Sequence, residues 1–148
     1  MIRRKQINLV YRITRRRRRL FRPLFLSRVA AGFPSAAENY VEGRIDLNQE
    51  LIRHPLTTFY VRVTGDSMIG AGIYPGSLLV VDRAENVKNG QIVVARIGDE
   101  FCVKRFFRES DETVWLHSEN ELYQPIEVNS ESGEFEIWGR VTHAIQSF

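Results

Sequence analysis

Hydrophobic and polar residues alternate in short runs through most of the chain after residue 57, and turn-forming residues separate these runs. The first run, residues 58–64, places Phe59, Val61 and Val63 on one side of an extended chain, as a strand with one buried face would. Residues 77–82 form a continuous apolar run, and further strand candidates occupy residues 91–97, 100–106, 113–117 and 134–145. This regular spacing of short runs, with little helical periodicity, predicts a mostly β fold of short antiparallel strands.

Glycine-containing dipeptides predict where the chain turns between these strands. Pro-Gly at residues 75–76 suits a type II turn. Asn-Gly at 89–90 is typical of a hairpin turn, and Gly-Asp at 98–99 has the residue order of a type II′ turn. One short helix is predicted within residues 36–51, with Ser35 as its N-cap.

Length and composition limit the kinds of site that the chain can hold. A sequence of 148 residues, 43% of them hydrophobic, is long enough for a single domain with a sizeable core. The one cysteine, Cys102, cannot form a disulfide within the chain, and three scattered histidines offer a metal few ligands. We therefore predict neither a metal nor another cofactor.

Basic and acidic residues are distributed unevenly between the first 31 residues and the rest. Of the 21 lysines and arginines, 11 lie in residues 1–31, which contain no acidic residue. The other ten stand against all 18 acidic residues in residues 32–148, which gives that part a net charge of −8. This division predicts a flexible basic arm, residues 1–31, and an acidic folded domain, residues 32–148.

Five consecutive arginines occupy residues 15–19 of the arm. They have three interpretations: a salt-dependent nucleic-acid contact, a solvated extension without a role, or translation from an upstream start codon that the cell does not use. We favour the last two over direct nucleic-acid binding, because no aromatic residue interrupts the run as a base-stacking site would prefer.

No stretch of the sequence approaches the ~20 apolar residues of a membrane-spanning helix. Arg22, Pro23 and Arg28 also interrupt the apolar residues that a secretory signal would need as one continuous run. We therefore expect a cytoplasmic protein with no membrane partner.

Two residues have the chemistry of a hydrolytic pair, Ser67 on a predicted turn and Lys104 in a predicted strand. A serine hydroxyl becomes a good nucleophile only when a neighbouring base takes its proton. Lysine can be that base only when neutral, a state that burial favours by lowering its pKa. Lys104 shares a strand face with Cys102 and Phe106, so it is either partly buried or a charge that protects an edge strand. The residues alone leave both alternatives open.

The turn that carries Ser67 also offers backbone N–H groups. Those of Ser67 and Asp66 are candidates for stabilising the oxyanion that forms when a serine attacks a peptide carbonyl. Gly-Asp-Ser is nevertheless an ordinary loop sequence. Upstream, Ala31 and Gly32 are small enough for an extended backbone to approach such a site closely, although they would equally suit a simple hinge.

Three segments together resemble the UmuD family of SOS mutagenesis proteins, which is related to the self-cleaving LexA repressors. They are residues 32–49, Gly-Asp-Ser-Met-Ile at 65–69 and Val-Lys at 103–104. The resemblance covers residues 21–148 and implies a single LexA/UmuD-like peptidase domain that is commonly dimeric. It also implies that Ser67 is the nucleophile, Lys104 its general base and Ala31–Gly32 the bond that is cut.

The resemblance further implies how such a cut is controlled and used. A RecA filament on single-stranded DNA would promote self-cleavage as a co-protease. The shortened homodimer would then join a UmuC-type DNA polymerase as its accessory subunit in translesion synthesis. The first 20 residues depart from this pattern, because the family does not normally carry an arginine run there.

Three other classes of protein remain as alternatives. A LexA-type transcriptional regulator would need a helix-turn-helix domain ahead of the cut, and 31 residues with Pro23 and an arginine run do not provide one. A signal peptidase shares the Ser-Lys chemistry but needs a membrane anchor. A non-enzymatic polybasic binding protein would be indifferent to substitution of Ser67 and Lys104.

Overall fold

The computed structural model describes residues 19–25, 31–32, 41–129, 131 and 133–148. The chain divides into two compact units, Met1–Asp46 and Leu47–Phe148. The predicted helix N-cap at Ser35 and most of the arginine run lie outside the described residues.

The first unit contains a two-stranded antiparallel sheet. Strand β1 (Arg22–Phe25) pairs with β2 (Val41–Ile45), with an irregularity in register between Leu24 and Phe25. Neither strand was predicted, and β2 lies within residues 36–51, where the short helix that was expected is confined to Leu47–Leu51. The buried side chain of Asp46 accepts a hydrogen bond from the backbone N–H of Leu20 at 3.1 Å, which ties the residue after β2 to the residues before β1.

The second unit is built on one antiparallel sheet of seven strands. Its elements are α1 (Leu47–Leu51), β3 (Thr58–Arg62), a 3-10 turn (Ile69–Ala71), β4 (Leu78–Asp82), β5 (Ile92–Ile97), β6 (Glu100–Arg108), β7 (Val114–His117), β8 (Ile126–Val128) and β9 (Phe135–Ile145). The strand order is β3-β4-β9-β5-β6-β7-β8, and every neighbouring pair is antiparallel. The prediction of a mostly β fold is therefore confirmed. All six predicted strands are present, whereas β8 was not predicted.

Two of the three predicted turns have the expected geometry. Gly76 has a φ of 90°, and the N–H of Ser77 donates to the carbonyl of Tyr74 at 3.0 Å, as in a type II turn. Gly98 has a φ of 58° and joins the paired strands β5 and β6, as a type II′ hairpin requires. The Asn-Gly turn at 89–90 is also present, but the hairpin prediction is wrong because β9 lies between β4 and β5.

Strand β9 forms the middle of the sheet and pairs with β4 on one side and β5 on the other. The pairing with β5 is irregular in register next to Gly139, and the pairing with β4 is irregular between Val80 and Val81. A Cβ at Gly139 would lie 2.8 Å from Val81 Cγ1 and 3.0 Å from the carbonyl oxygen of Asp82. Glycine is therefore required at this position for β9 to pack against β4.

Two hydrophobic clusters form the core of the sheet. The first contains Val63, Met68, Ile73, Leu79, Val81 and Val94, and the second contains Val93, Ala95, Phe106, Val114, Leu116 and Val128. Val93 and Val94 are consecutive in β5, so the clusters lie on opposite faces of the sheet. Phe59 and Val61 pack against the first cluster, which confirms the predicted buried face of β3.

Candidate active site

Ser67 lies on an irregular turn between β3 and the 3-10 turn, and its side chain is half-buried. Gly65 begins the turn with a φ of 82°, which L-residues with a side chain rarely adopt. Met68, the next residue, is only 2% exposed and belongs to the first core cluster. The residue that follows Ser67 therefore anchors the turn in the core, which limits how far the serine can move.

The N–H groups of Asp66 and Ser67 were the predicted oxyanion donors. Among the residues that the structure describes, neither N–H donates a hydrogen bond. The carbonyl groups of the same turn are engaged, since Asp66 accepts from Ile69 at 3.4 Å and Ser67 accepts from Glu119 at 2.9 Å. The turn is thus held through its carbonyls while two adjacent donors remain available.

Lys104 lies near the middle of β6, a strand flanked by β5 and β7, and its side chain is only 7% exposed. It is therefore a buried lysine rather than a charge on an edge strand, which decides between the two alternatives left by the sequence. Its Cα partner across the sheet is Val93, a member of the second core cluster. Burial lowers the pKa of Lys104 below its usual 10.5, while the neighbouring Cys102 thiol acts in the opposite direction.

The ammonium of Lys104 donates a hydrogen bond to Ser118 Oγ at 2.7 Å and lies 5.2 Å from the centre of the Tyr123 ring. Within the described part of the chain, no hydrogen bond joins Lys104 to Ser67. The two are linked through the loop after β7, because Ser118 contacts Lys104 while Glu119 donates its N–H to the Ser67 carbonyl. Two consecutive residues of one loop therefore contact the predicted base and the turn that carries the predicted nucleophile.

The same loop, residues 118–123, holds the serine turn at further points. Asn120 Nδ2 donates to the Asp66 carbonyl at 3.1 Å, and the Tyr123 hydroxyl donates to Asp66 Oδ1 at 2.5 Å. The hydrogen bond to the Asp66 carboxylate raises the pKa of Tyr123. Gly70 also approaches the loop closely, since a Cβ there would lie 2.6 Å from the Glu119 carbonyl oxygen. The loop thus forms one wall of the candidate site.

Sequence reasoning did not single out Ser118, Glu119, Asn120 or Tyr123. The available signal was the short polar stretch Ser-Glu-Asn directly after the buried strand β7. In a mostly β fold, loops that follow strands commonly carry functional residues.

Ala31 and Gly32, the predicted cleavage residues, are both exposed. A Cβ added to Gly32 would meet no described atom within 4 Å. Residues 26–30 and 33–40 on either side lie outside the described residues, and Ala31–Gly32 belongs to the first unit rather than the second. The cut at this bond therefore remains a prediction.

His54, Asp82 and Glu85 form a group whose potential metal-ligand atoms lie within 4.8 Å of one another. The carboxylate oxygens of Asp82 and Glu85 already have protein partners. Asp82 accepts from Thr57 at 3.0 Å and from the Ala84 N–H at 2.9 Å, and Glu85 Oε2 lies 3.1 Å from Arg140 Nη1. Glu85 is paired with an arginine, and Asp82 already accepts hydrogen bonds from the protein. The group therefore fits an internal polar network better than a cation site.

No helix within the described ranges has the length and apolar character needed to cross a membrane.

Comparisons with known proteins place this chain in a family. Residues 23–142 match the family described as Peptidase S24-like. The chain is 43% identical to Protein ImpA of Salmonella typhimurium over 132 residues, which span 84% of this chain and 83% of that protein. It is 38% identical to Protein MucA of Salmonella typhimurium over 123 residues, 83% of each chain. It is also 46% identical to LexA repressor 1 of Pseudomonas putida over 114 residues, 77% of this chain and 55% of the repressor.

These matches cover both Ser67 and Lys104 and most of the described structure. They confirm the resemblance to the LexA- and UmuD-like self-cleaving proteins that the three sequence segments indicated. The chain belongs to the Peptidase S24-like family.

Proposed function

We propose that this protein is a self-cleaving serine peptidase of the DNA-damage response in which Lys104 activates Ser67 to cut the Ala31–Gly32 bond. The observation that carries the proposal is the buried Lys104, whose pKa is lowered by burial and whose contact loop also holds the Ser67 turn. In a family of peptidases, a lysine of this kind is suited to act as a general base at a lower pH than an exposed lysine would.

The proposed reaction begins with two changes at Ser67. The neutral amine of Lys104 takes the hydroxyl proton, and Ser67 Oγ forms a bond to the carbonyl carbon of Ala31. The free N–H groups of Asp66 and Ser67 stabilise the negative charge that develops on the carbonyl oxygen. Lys104 must approach Ser67 for this step, since its hydrogen bond in this structure is to Ser118.

Collapse of the tetrahedral intermediate breaks the bond to the nitrogen of Gly32, and the Lys104 ammonium returns its proton to that nitrogen. Water then attacks the Ser67 ester while Lys104 accepts a proton from the water. The proton passes to Ser67 Oγ as the ester breaks, which releases the Ala31 carboxylate and restores the enzyme. No group other than water and the two side chains is consumed or required for proton balance.

Cleavage at this bond would separate residues 1–31, with their 11 basic side chains, from a remainder with a net charge of −8. A change of this size alters which charged partners the remaining domain attracts. We propose that the cut thereby converts the protein from one binding state to another in the cytoplasm. The domain boundary proposed for the product is Gly32.

The resemblance to the UmuD family supports a more specific role in SOS mutagenesis. In this role a RecA filament on single-stranded DNA stabilises the conformer in which Ala31–Gly32 reaches Ser67, which is a shift of population rather than a chemical contribution. The shortened homodimer then acts as the accessory subunit of a UmuC-type translesion polymerase. The 43% identity to ImpA and 38% identity to MucA support this assignment.

Intact-mass analysis of the purified protein over time tests the proposal. We expect a fragment that begins at Gly32, with a rate that increases with pH and with added RecA filament at neutral pH. Ser67→Ala and Lys104→Ala should both prevent its formation. A mass that stays constant under all these conditions, or a fragment that persists in both variants, would overturn the proposal and favour a non-enzymatic binding role.

The 46% identity to a LexA repressor favours one second candidate, a LexA-type self-cleaving transcriptional regulator. Both candidates predict the same cut, so they have to be distinguished by what the cleaved and uncleaved forms bind. Co-purification of the Gly32 fragment with a UmuC-type polymerase supports the first candidate. Sequence-specific retention of promoter DNA by the uncleaved protein, lost after cleavage, supports the second.

A further inference from the structure

Ser118 owes its position to the pairing of β6 with β7. The last residue of β7, His117, is the Cα partner of Arg105. Because the strands are antiparallel, the next residue of one strand lies opposite the preceding residue of the other, which places Ser118 opposite Lys104. The 2.7 Å hydrogen bond between their side chains follows from this register rather than from the conformation of a flexible side chain at the surface.

A hydroxyl opposite a lysine controls where the lysine nitrogen directs its lone pair. A neutral amine has two N–H groups and one lone pair, and it can rotate about its last carbon–nitrogen bond. If one N–H is held by an acceptor, the lone pair is confined to a smaller range of directions. Ser118 Oγ is such an acceptor, since a hydroxyl accepts as well as donates.

The next residue, Glu119, holds the turn that carries the proposed nucleophile. Glu119 donates its N–H to the carbonyl of Ser67 at 2.9 Å and accepts from the N–H of Gly70 at 2.8 Å. Two consecutive loop residues therefore determine the relative position of the base and the nucleophile turn. A displacement of about 1 Å between reacting groups can reduce a rate by about 100-fold.

We propose that Ser118 is a positioning residue for self-cleavage, which accepts an N–H of Lys104 and so directs the amine toward Ser67. This inference rests on the proposed function of the Ser67–Lys104 pair. Ser118 itself is not consumed and forms no bond to substrate.

The first test compares self-cleavage rates of wild type, Ser118→Ala and Ser118→Thr across pH. We expect Ser118→Ala to be about 10- to 100-fold slower at its maximum, whereas Ser118→Thr, which retains a hydroxyl, stays close to wild type. Ser110→Ala is the matched control, because Ser110 is an exposed serine on the neighbouring β6–β7 turn. Its rate should equal that of wild type.

The midpoint of the pH profile separates positioning from a general loss of structure. A hydrogen bond to an ammonium stabilises the charged form more than the neutral form. Removing it should move the midpoint of the Ser118→Ala profile to lower pH while the maximum rate falls. A merely destabilised protein would lose rate without a shift of the midpoint.

Replacing Ser118 by alanine leaves the other residues near the Lys104 ammonium in the sequence. Cys102 lies two residues away on β6, and Tyr123 contacts the ammonium from the loop. Asp66 accepts a hydrogen bond from the Tyr123 hydroxyl. Strand β5 contributes the apolar Val93. The remaining charged neighbours, Arg105 and Glu119, form an ion pair with each other.

A second measurement does not depend on cleavage. In the Ser67→Ala background, NMR titration of the Lys104 side chain with and without Ser118→Ala should show a lower pKa when the hydroxyl is absent. If wild type fails to cut but this difference is present, the proposed function fails while the Lys104–Ser118 contact is upheld. If wild type cuts and Ser118→Ala changes neither rate nor midpoint, the positioning role is overturned. Complete loss of cleavage that Ser118→Thr does not restore would also overturn it.

Discussion

Lys104 in β6 and Asp82 at the end of β4 are both buried ionisable residues in the same sheet, 7% and 3% exposed, yet their surroundings favour opposite charge states. Burial alone would raise the pKa of Asp82, but hydrogen bonds from His54, Ala84 and Thr57 outweigh it and lower the pKa below 3.8. Lys104 has a hydroxyl and an aromatic ring beside it and a lowered pKa that favours the neutral amine.

This contrast distinguishes two uses of a buried polar group. The Asp82 network satisfies its charge with several donors, and such an arrangement stabilises one conformation. The Lys104 site leaves the charge poorly compensated, which weakens the folded state but makes the neutral amine, the form that a base requires, available at lower pH. The comparison predicts that substitutions at Asp82 reduce stability, whereas substitutions at Lys104 reduce activity.

The largest expected effect is on cleavage in Lys104→Arg. Arginine keeps a positive charge and a long side chain but does not lose its proton in proteins, so it cannot act as a base. We expect the self-cleavage rate to fall by about 10²- to 10⁴-fold at every pH, measured by intact mass. Arg108→Lys, at the exposed end of the same strand, is the control. Substantial cutting by Lys104→Arg would show that a different residue is the base.

Asp82→Ala should give the largest loss of stability in this comparison. The substitution removes the acceptor for Thr57, for the Ala84 N–H and for His54, and it leaves these donors in a partly buried site. We expect the free energy of unfolding to fall by about 3 kcal/mol in denaturant titration. Asp111→Ala removes an exposed carboxylate that accepts from Thr113, so its effect should be far smaller. Equal effects would contradict a structural role for the Asp82 network.

Lys104→Met should increase the free energy of unfolding, whereas Asp82→Ala should decrease it. Methionine has a similar length without a charge, so it removes the cost of burying an ammonium, and we expect a gain of about 1 kcal/mol at neutral pH. Because the pKa of Lys104 is lower in the folded protein than 10.5, the folded state loses its proton first as pH rises. The wild type therefore gains stability as pH rises toward 10.5, and the advantage of Lys104→Met should shrink. Denaturant titration at several pH values measures this, and a loss of stability at neutral pH would contradict it.

The smallest expected effect is the acid dependence of the Asp82 network. The folded pKa of Asp82 lies below 3.8, so its contribution is fully present above pH 3.8 and is lost as pH falls through the folded pKa. The stability difference between wild type and Asp82→Ala should therefore narrow in acid. A difference that stays constant below pH 3.8 would show that the carboxylate charge is not what the network stabilises.

Features that depend on local alternation were predictable from sequence. The face of β6 that carries Lys104 was expected to include Cys102 and Phe106, and both pack with the second core cluster while Val103 packs with the first. Alternation within one strand fixes these faces whatever the neighbouring strands are. It could not decide whether Lys104 is buried, because that depends on β6 having a neighbour on each side.

Features that depend on pairing between distant segments were not predictable in this way. Ser118 meets Lys104 only through the register of β6 and β7, and a serine after a strand has no distinguishing pattern. Strands β1 and β2 are short, and each contains a residue that weakens the strand pattern, Pro23 and Gly43. The hairpin predicted at residues 89–90 failed for a related reason, because a local turn signal says nothing about a third strand between its neighbours.

The central position of β9 has a consequence for when the protein can act. During synthesis the ribosome adds Ser67 and Lys104 before residues 135–145 of β9. Until β9 inserts, β4, which follows the Ser67 turn, is not joined through the sheet to β5 and β6, which carry Lys104. A nascent chain therefore lacks the complete sheet, and we expect the proposed self-cleavage to begin only after nearly the whole polypeptide has been made.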